Sequence, residues 1–400
     1  MSTSQRVQTV SPRPRKNSVN PAGRGLRNPL NIYRLLLSAT LFLTFGGLLM
    51  VWSASGVWAQ TEFGSPYALL QRQATFVGLG LALMVVLSRM PVAFFMRISK
   101  FLIYGALALL LLVLVPGIGV SVNGQQNWID LGGPFRIQPS EFAKFALAVW
   151  ASAVLARRLK GPMSLRELLV PVVPMSLLII GLVVLEGDLG TASVMVPIAA
   201  AVLFAAGAPL WLFALAPLGV VALIAALSMN SGYRIARLTS WLDPYSDYMG
   251  AGWQVVHGHY ALASGGLIGV GLGASREKWG ALPEAHTDFI FAIIGEELGL
   301  WGTLLTLSLV IIIGACGLVI ARRTDVAFIR LASVGVVAWI TGQSLVNIGV
   351  VLGLLPVVGV PLPLVSYGGS SLIPTLSALG MLMAFARYEA RAKGAKARSS

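Results

Sequence analysis

Leu282-Pro-Glu-Ala-His-Thr-Asp-Phe-Ile-Phe-Ala-Ile-Ile-Gly-Glu-Glu297 sets Glu284, His286, Asp288, Glu296 and Glu297, with Lys278 just upstream, against the start of a long apolar run. The chain of 400 residues holds only 15 acidic side chains, so four between 284 and 297 is a concentration and not background. Ionisable groups beside or inside a membrane segment are costly, and function is the usual reason they persist.

Outward from that stretch the chain is overwhelmingly apolar. Hydrophobic residues make up 56% and charged residues 11%, with a mean hydropathy of +0.80. A soluble domain carries roughly 25% charged residues. The composition excludes such a domain and predicts an all-α polytopic integral membrane protein. Apolar runs near 35–53, 76–88, 101–118, 142–156, 168–185, 191–206, 211–229, 298–320, 331–352 and 371–386 predict about ten transmembrane helices. Residues 1–30 read as a disordered basic tail, 31–388 as the transmembrane domain and 389–400 as a second basic tail. The first apolar run reads as a signal anchor, with no cleavable signal peptide expected.

With ten spans, 22 of the 29 Lys and Arg fall on the side that holds both termini, which places the termini in the cytoplasm. The acids run the other way: only Glu167, Asp325 and Glu389 fall inside. Chemistry is therefore expected on the outer face. The net charge of +14 reflects topology and tails suited to anionic headgroups, and asks for no nucleic acid. Cys316, the one cysteine, lies mid-span and suggests neither a disulfide nor a thiol site.

Two outer segments are long or broken. Residues 230–288, between the seventh and eighth spans, form a large outer loop whose aromatic and apolar content argues for short interfacial helices. Residues 353–370 are apolar, yet Pro356, Pro361 and Pro363 forbid a regular helix. Irregular backbone at membrane depth persists where it is buried in protein or lines a wet cavity, so a re-entrant segment is expected there.

Asp288 sits where the outer loop turns into the eighth span. It is a candidate general base, and Thr287 or Asp288 is equally a candidate helix N-cap. Glu284 and His286 lie close by, whereas Glu296 and Glu297 are deep enough to suggest structural pairing. Glu141 and Lys144 are an i,i+3 pair that reads as a salt bridge or as a cation presented to a phosphate at the outer membrane surface. Arg234 and Arg237 suit the same anion or a lipid headgroup. Asp188 reads as a turn or cap residue. The glycine run Gly265, Gly266, Gly269, Gly271 and Gly273 reads as close backbone packing, and His257 with His259 is a weak metal signal.

These residues fall in several separate motifs: Asn123-Gly with Trp128-Ile, Gln138-Pro-Ser-Glu-Phe-Ala-Lys144, Asp188-Leu-Gly-Thr-Ala192, Tyr233-Arg with Arg237 and Asp243-Pro244, Leu282-Pro-Glu-Ala-His-Thr-Asp-Phe-Ile290, and Pro361-Leu-Pro-Leu-Val-Ser-Tyr-Gly-Gly-Ser370. Together they resemble the SEDS (shape, elongation, division, sporulation) family over roughly residues 30–388, with the division branch, FtsW, favoured over RodA. Gln125-Gln-Asn127, and His257-Gly258 after Gln254, depart from the division-branch pattern.

The resemblance implies a peptidoglycan glycosyltransferase of the bacterial cytoplasmic membrane, at the division septum, polymerising lipid II. The implied partners are a class B penicillin-binding transpeptidase and other division membrane proteins. Asp288 would be the catalytic carboxylate. Glu141, Lys144, Arg234, Arg237, Gln254, Glu284, His286, Ser366 and Tyr367 would contact substrate. No cofactor is required by sequence; a divalent cation (Mg or Mn) is compatible with pyrophosphate chemistry, and no metal-ligating motif demands one. A lipid II flippase and a non-catalytic division scaffold are the rival readings.

Overall fold

The structure, a computed structural model, describes residues 28–399 apart from 123–124, 131, 133–135, 160, 162–163, 215–240 and 251, with side chains to 392. The basic tail up to residue 27, most of the expected seventh span, and Arg234 and Arg237 lie outside the described residues.

Three helices open the fold: α1 (Pro29–Phe63), α2 (Ala68–Leu87) and α3 (Val92–Val113). Asn28 caps α1, its side-chain oxygen accepting from Leu30 N at 3.0 Å, and Pro29 suits the first turn. α4 (Pro139–Arg158), α5 (Leu165–Leu169), α6 (Val173–Leu185) and α7 (Leu189–Ala205) follow. The second half holds α8 (Trp253–Gly265), α9 (Ile290–Arg323), α10 (Ala327–Val351) and α11 (Gly369–Ser399).

Among the described residues, six helices are long and apolar enough to cross a membrane: α1, α2, α3, α9, α10 and α11. α6 and α7 are apolar but shorter. α4 is enclosed along its middle, with every residue from Ala143 to Ala153 buried. Protein packs on it from α3, α7 and α10, so it can carry Ser140, Glu141, Lys144 and Ser152 where a lipid-facing helix could not.

The all-α expectation needs one correction. A three-stranded antiparallel sheet, β1 (Gly119–Val122), β2 (Gln125–Asp130) and β3 (Arg136–Ile137), joins α3 to α4. Its register pairs Val120 with Trp128 and Ile129 with Ile137. On β2 burial alternates at its end, with Asn127 and Ile129 inward.

The glycine run resolves as close backbone packing. α9 breaks at Gly299, whose φ of 66° and ψ of −161° only glycine adopts readily. The segment after α8 fills the break: Val270 N donates to Glu296 O at 2.9 Å, Gly271 N to Glu297 O at 3.0 Å, and Gly266 O accepts from Leu300 N at 3.0 Å. Backbone groups freed by the kink are thus satisfied inside the protein, as the bilayer core demands. Glu296 and Glu297 are structural here. Glu296 accepts from Ser275 Oγ and from Arg276 N, and Glu297 from Ser53 Oγ and, at 2.9 Å, from Lys278 Nζ.

Between α10 and α11 the chain from Leu352 to Gly368 forms no helix, and its second part, Val360–Ser366, is buried apart from the partly exposed Pro361. This segment positions the site.

Candidate functional site

Three successive carbonyls fix the turn that carries Asp288. His286 O accepts from Tyr367 N at 2.9 Å, Thr287 O from Ser366 Oγ at 2.6 Å, and Asp288 O from Asn347 Nδ2 at 2.7 Å. The donors come from α10 and from the irregular segment, so two elements remote in sequence hold one turn of backbone. Glu284 starts the turn at a φ of 53°, and its carbonyl accepts from Thr287 N and Phe289 N, both at 3.1 Å. Phe289, not Thr287 or Asp288, holds the N-cap position of α9. The Thr287 hydroxyl turns back to Glu284.

The irregular segment forms a wall beside this turn. Gly359, at a φ of 70°, presents a bare backbone; a Cβ there would stand 3.5 Å from Asp288 Oδ2. Ser366 organises the wall by accepting from Leu362 N at 2.8 Å while donating to Thr287 O. Gln73 of α2 grips it from the other side, donating to Ser366 O at 3.1 Å and accepting from Gly368 N at 3.2 Å.

Beneath the wall lies the Lys144 cluster. Lys144 Nζ donates to Glu141 Oε1 and to Gln343 Oε1, both at 2.8 Å, and lies 5.5 Å from the Trp339 ring centre. Gln343 Oε1 also accepts from Trp339 Nε1, and Gln343 Nε2 donates to Pro361 O at 2.9 Å. Lys144 is 0% exposed. It is therefore an interior cation and not one presented at the outer surface, because this part of α4 is packed within the protein. Neighbouring residues of the wall, Val360 and Pro361, link Asn347 to Gln343 and so Asp288 to Lys144.

A third group joins at the start of α7. Asp188 caps that helix, accepting from Thr191 N at 2.9 Å, and also accepts from Gln138 Nε2 at 2.7 Å and Ser140 Oγ at 3.2 Å. Gly190, in the first turn, packs against the Val358 carbonyl and Val360. Glu186 is buried alongside; burial first, and the Asp188 charge second, push its carboxyl up to about 8.

Above the Asp288 turn, His286 stacks on Trp58 with ring centres 5.3 Å apart and lies 5.7 Å from Tyr367. Burial lowers the His286 pKa, partly opposed by Glu284. Burial raises that of Tyr367, opposed by the charge and hydrogen bond of Arg72. Arg72 thus brings a cation to the same rim, 4.6 Å over the Phe63 ring.

The expected residues divide accordingly. Asp288, Glu284, His286, Ser366 and Tyr367 share one neighbourhood, with Glu141 and Lys144 beneath. Gln254, on α8, reaches the start of the turn by donating to Pro283 O at 3.3 Å. His257 pairs with Glu277 at 2.6 Å. Among the described residues no three His, Cys, Asp or Glu side chains gather around a metal position. A separate apolar cleft of about 360 Å³ between α1 and Leu272–Trp279 is lined in part by Lys278, already paired with Glu297. Gln73, Gln343, Asn347 and Arg72 join the site without a motif signal in the sequence, although Trp339, Gln343 and Asn347 recur every four residues within an apolar run.

The sequence and the overall fold are similar to those of known proteins. The family model described as "Cell cycle protein" (FTSW_RODA_SPOVE) matches residues 33–391. A Mycobacterium tuberculosis protein named "Probable peptidoglycan glycosyltransferase FtsW" is 42% identical over 373 residues, covering 93% of this chain and 71% of its own. Stage V sporulation protein E of Bacillus subtilis is 40% identical, covering 88% of this chain and 96% of its own. Among solved structures, a chain of one described as "Structural coordination of polymerization and crosslinking by a peptidoglycan synthase complex" aligns with a TM-score of 0.69 at 30% identity, over 88% of this chain and 97% of that one. The rod shape determining protein RodA of Thermus thermophilus aligns with a TM-score of 0.66 at 29% identity, over 88% and 95% of the two chains. With its helical membrane architecture and a family match spanning most of its length, the chain belongs to the FtsW/RodA/SpoVE family of cell cycle proteins.

Proposed function

We propose that this protein is a peptidoglycan glycosyltransferase that polymerises lipid II into β-1,4 glycan at the outer face of the cytoplasmic membrane during cell division. The observation that carries this reading is the carbonyl clamp on residues 286–288, which holds the turn whose Asp288 carboxylate lies beside the bare backbone of Gly359. Relatives named as peptidoglycan glycosyltransferases support the substrate class.

Lipid II is an α-linked glycosyl pyrophosphate and the product linkage is β, so one inverting displacement suffices. The acceptor hydroxyl oxygen forms a bond to the donor anomeric carbon, and its proton passes to Asp288. The anomeric carbon–oxygen bond breaks, and the polyprenyl pyrophosphate leaves with the electron pair. Cations stabilise the charge that develops on the leaving group. Arg72 and Lys144 supply positive potential from the rim and from beneath, and Arg234 and Arg237 are assigned to the same leaving group. Glu141 holds Lys144. Glu284, His286, Gln254, Ser366 and Tyr367 shape or contact the saccharide region, and the 353–370 segment walls the cavity as a re-entrant element.

The fold is read with about ten spans, cytoplasmic termini and the 230–288 loop outside, at the septum. A class B penicillin-binding transpeptidase is the working partner, in line with the solved synthase complex that this chain resembles. The test is polymerisation of lipid II by the purified protein with its cognate transpeptidase. Glycan product supports the reading; lipid II flipping without glycan would favour transport.

A further inference from the structure

We propose that Glu186 and Asp188 hold a hard divalent cation, of the magnesium, manganese or calcium class, in the turn between α6 and α7. Glu186 is 2% and Asp188 4% exposed. Both Glu186 carboxyl oxygens are buried with no hydrogen-bond partner. Asp188 takes three donors, from Gln138, Ser140 and Thr191. A carboxylate offers about four acceptor positions, so one of its lone pairs stays open.

No cation among the described residues compensates this pair: Lys144 is bonded to Glu141, and Arg136 to Asp130. Glu186 lacks a donor on either oxygen and the adjacent pair lacks a counter-charge, which is strongly unfavourable for buried carboxylates. A bound cation removes both defects together.

The surroundings add oxygen and no softer ligand. Strand β2 covers the turn, with Gln125 packed against Gly187. Asn127 follows two residues later on the same strand face. It donates from Nδ2 to Gln125 Oε1 at 3.3 Å, and its own Oδ1 is buried without a partner. Carboxylate and amide oxygens together suit magnesium, manganese or calcium, not zinc. Such a mixed set need not include three His, Cys, Asp or Glu side chains. The position also adjoins the candidate site, because Gly190 packs against Val358 and Val360, which flank the Gly359 facing Asp288. That the ion would assist departure of a pyrophosphate rests on the glycosyltransferase reading; that it binds does not.

The test is Mn²⁺ uptake by the purified full-length protein in nanodiscs of zwitterionic lipid, read as loss of the free-ion electron paramagnetic resonance signal, with no lipid substrate present. Wild type is expected to take up a single tight ion that Mg²⁺ or Ca²⁺ displaces. Glu186→Gln should weaken uptake by at least roughly tenfold, as loss of a supporting ligand does, while Asp288→Asn leaves it intact. Mn²⁺ should raise the Tm of wild type and not that of Glu186→Gln. Should Glu186→Gln fail to fold, wild-type uptake and Asp188→Asn decide. Absence of tight uptake by wild type, or undiminished uptake by Glu186→Gln, overturns the proposal and leaves a proton on that carboxyl. Failure of lipid II polymerisation would not alter Mn²⁺ uptake, so the two claims fail separately.

Discussion

Asn347 ties Asp288 to the irregular wall: one side-chain amide nitrogen stands 2.7 Å from Asp288 O and 2.7 Å from Val360 O. Asn347 is 1% exposed and belongs to α10, so a buried helix sets the distance between the candidate base and the segment it faces. Asn347→Leu removes the donor and leaves both carbonyls unsatisfied, at about 1–3 kcal/mol for a buried group. Lipid II turnover should fall by roughly 10- to 100-fold, in keeping with the sensitivity of catalysis to small misplacements. The check is polymerisation rate alongside Tm; an unchanged rate in a folded variant would detach Asn347 from the site.

Lys144 and Glu141 form a buried pair, 0% and 1% exposed. Lys144→Ala should destabilise the protein by about 3–5 kcal/mol because Glu141 is left charged and alone. The double variant Lys144→Met, Glu141→Gln should recover much of that loss in thermal unfolding. Turnover should remain low in the double variant if Lys144 potential serves the leaving group, and should return with stability if the pair is only structural.

His286 gives a pH dependence with a definite sign. Burial favours its neutral form, so its folded-state pKa lies below the ordinary value of about 6.5. Above that value neither state takes up the proton, and the stability is fully present. As pH falls below it, the unfolded chain protonates first and stability declines until the folded pKa is reached. Tm should therefore drop between pH 7 and pH 5, and His286→Gln should flatten that drop. A steeper decline in the variant would refute this assignment.

Gly299→Ala should disrupt the splice between α8 and α9. Its backbone conformation is strained for any other residue, at about 1–3 kcal/mol, and a Cβ would meet Gly269 N and Leu267 O. Limited proteolysis near Gly266–Gly273 should accelerate while the remaining helices stay protected.

Much of the helical frame is visible in the apolar runs, since a span must be apolar wherever it meets lipid. α4 departs from that rule because protein surrounds it, and α9 begins eight residues before its apolar run because Glu296 and Glu297 find donors in Ser53, Ser275, Arg276 and Lys278. The small sheet escapes a periodicity reading: its strands are four, six and two residues long, and Gln125-Gln-Asn127 carries little strand propensity. Within the site, Asp288, Glu284 and His286 stand out as charge beside an apolar run. Gln343 and Asn347 do not, because single amides inside a span carry no charge signal; their role emerges only when the 353–368 backbone is laid against them.

The most direct measurement compares lipid II polymerisation by wild type and Asp288→Asn, each purified with the cognate transpeptidase and shown to be folded and partner-bound. Asparagine preserves size and hydrogen bonding but cannot accept the acceptor proton near neutral pH. The account predicts glycan strands from wild type and none from the variant. Near-normal polymerisation by Asp288→Asn would contradict it and move the search for the base to Glu141 and Glu284.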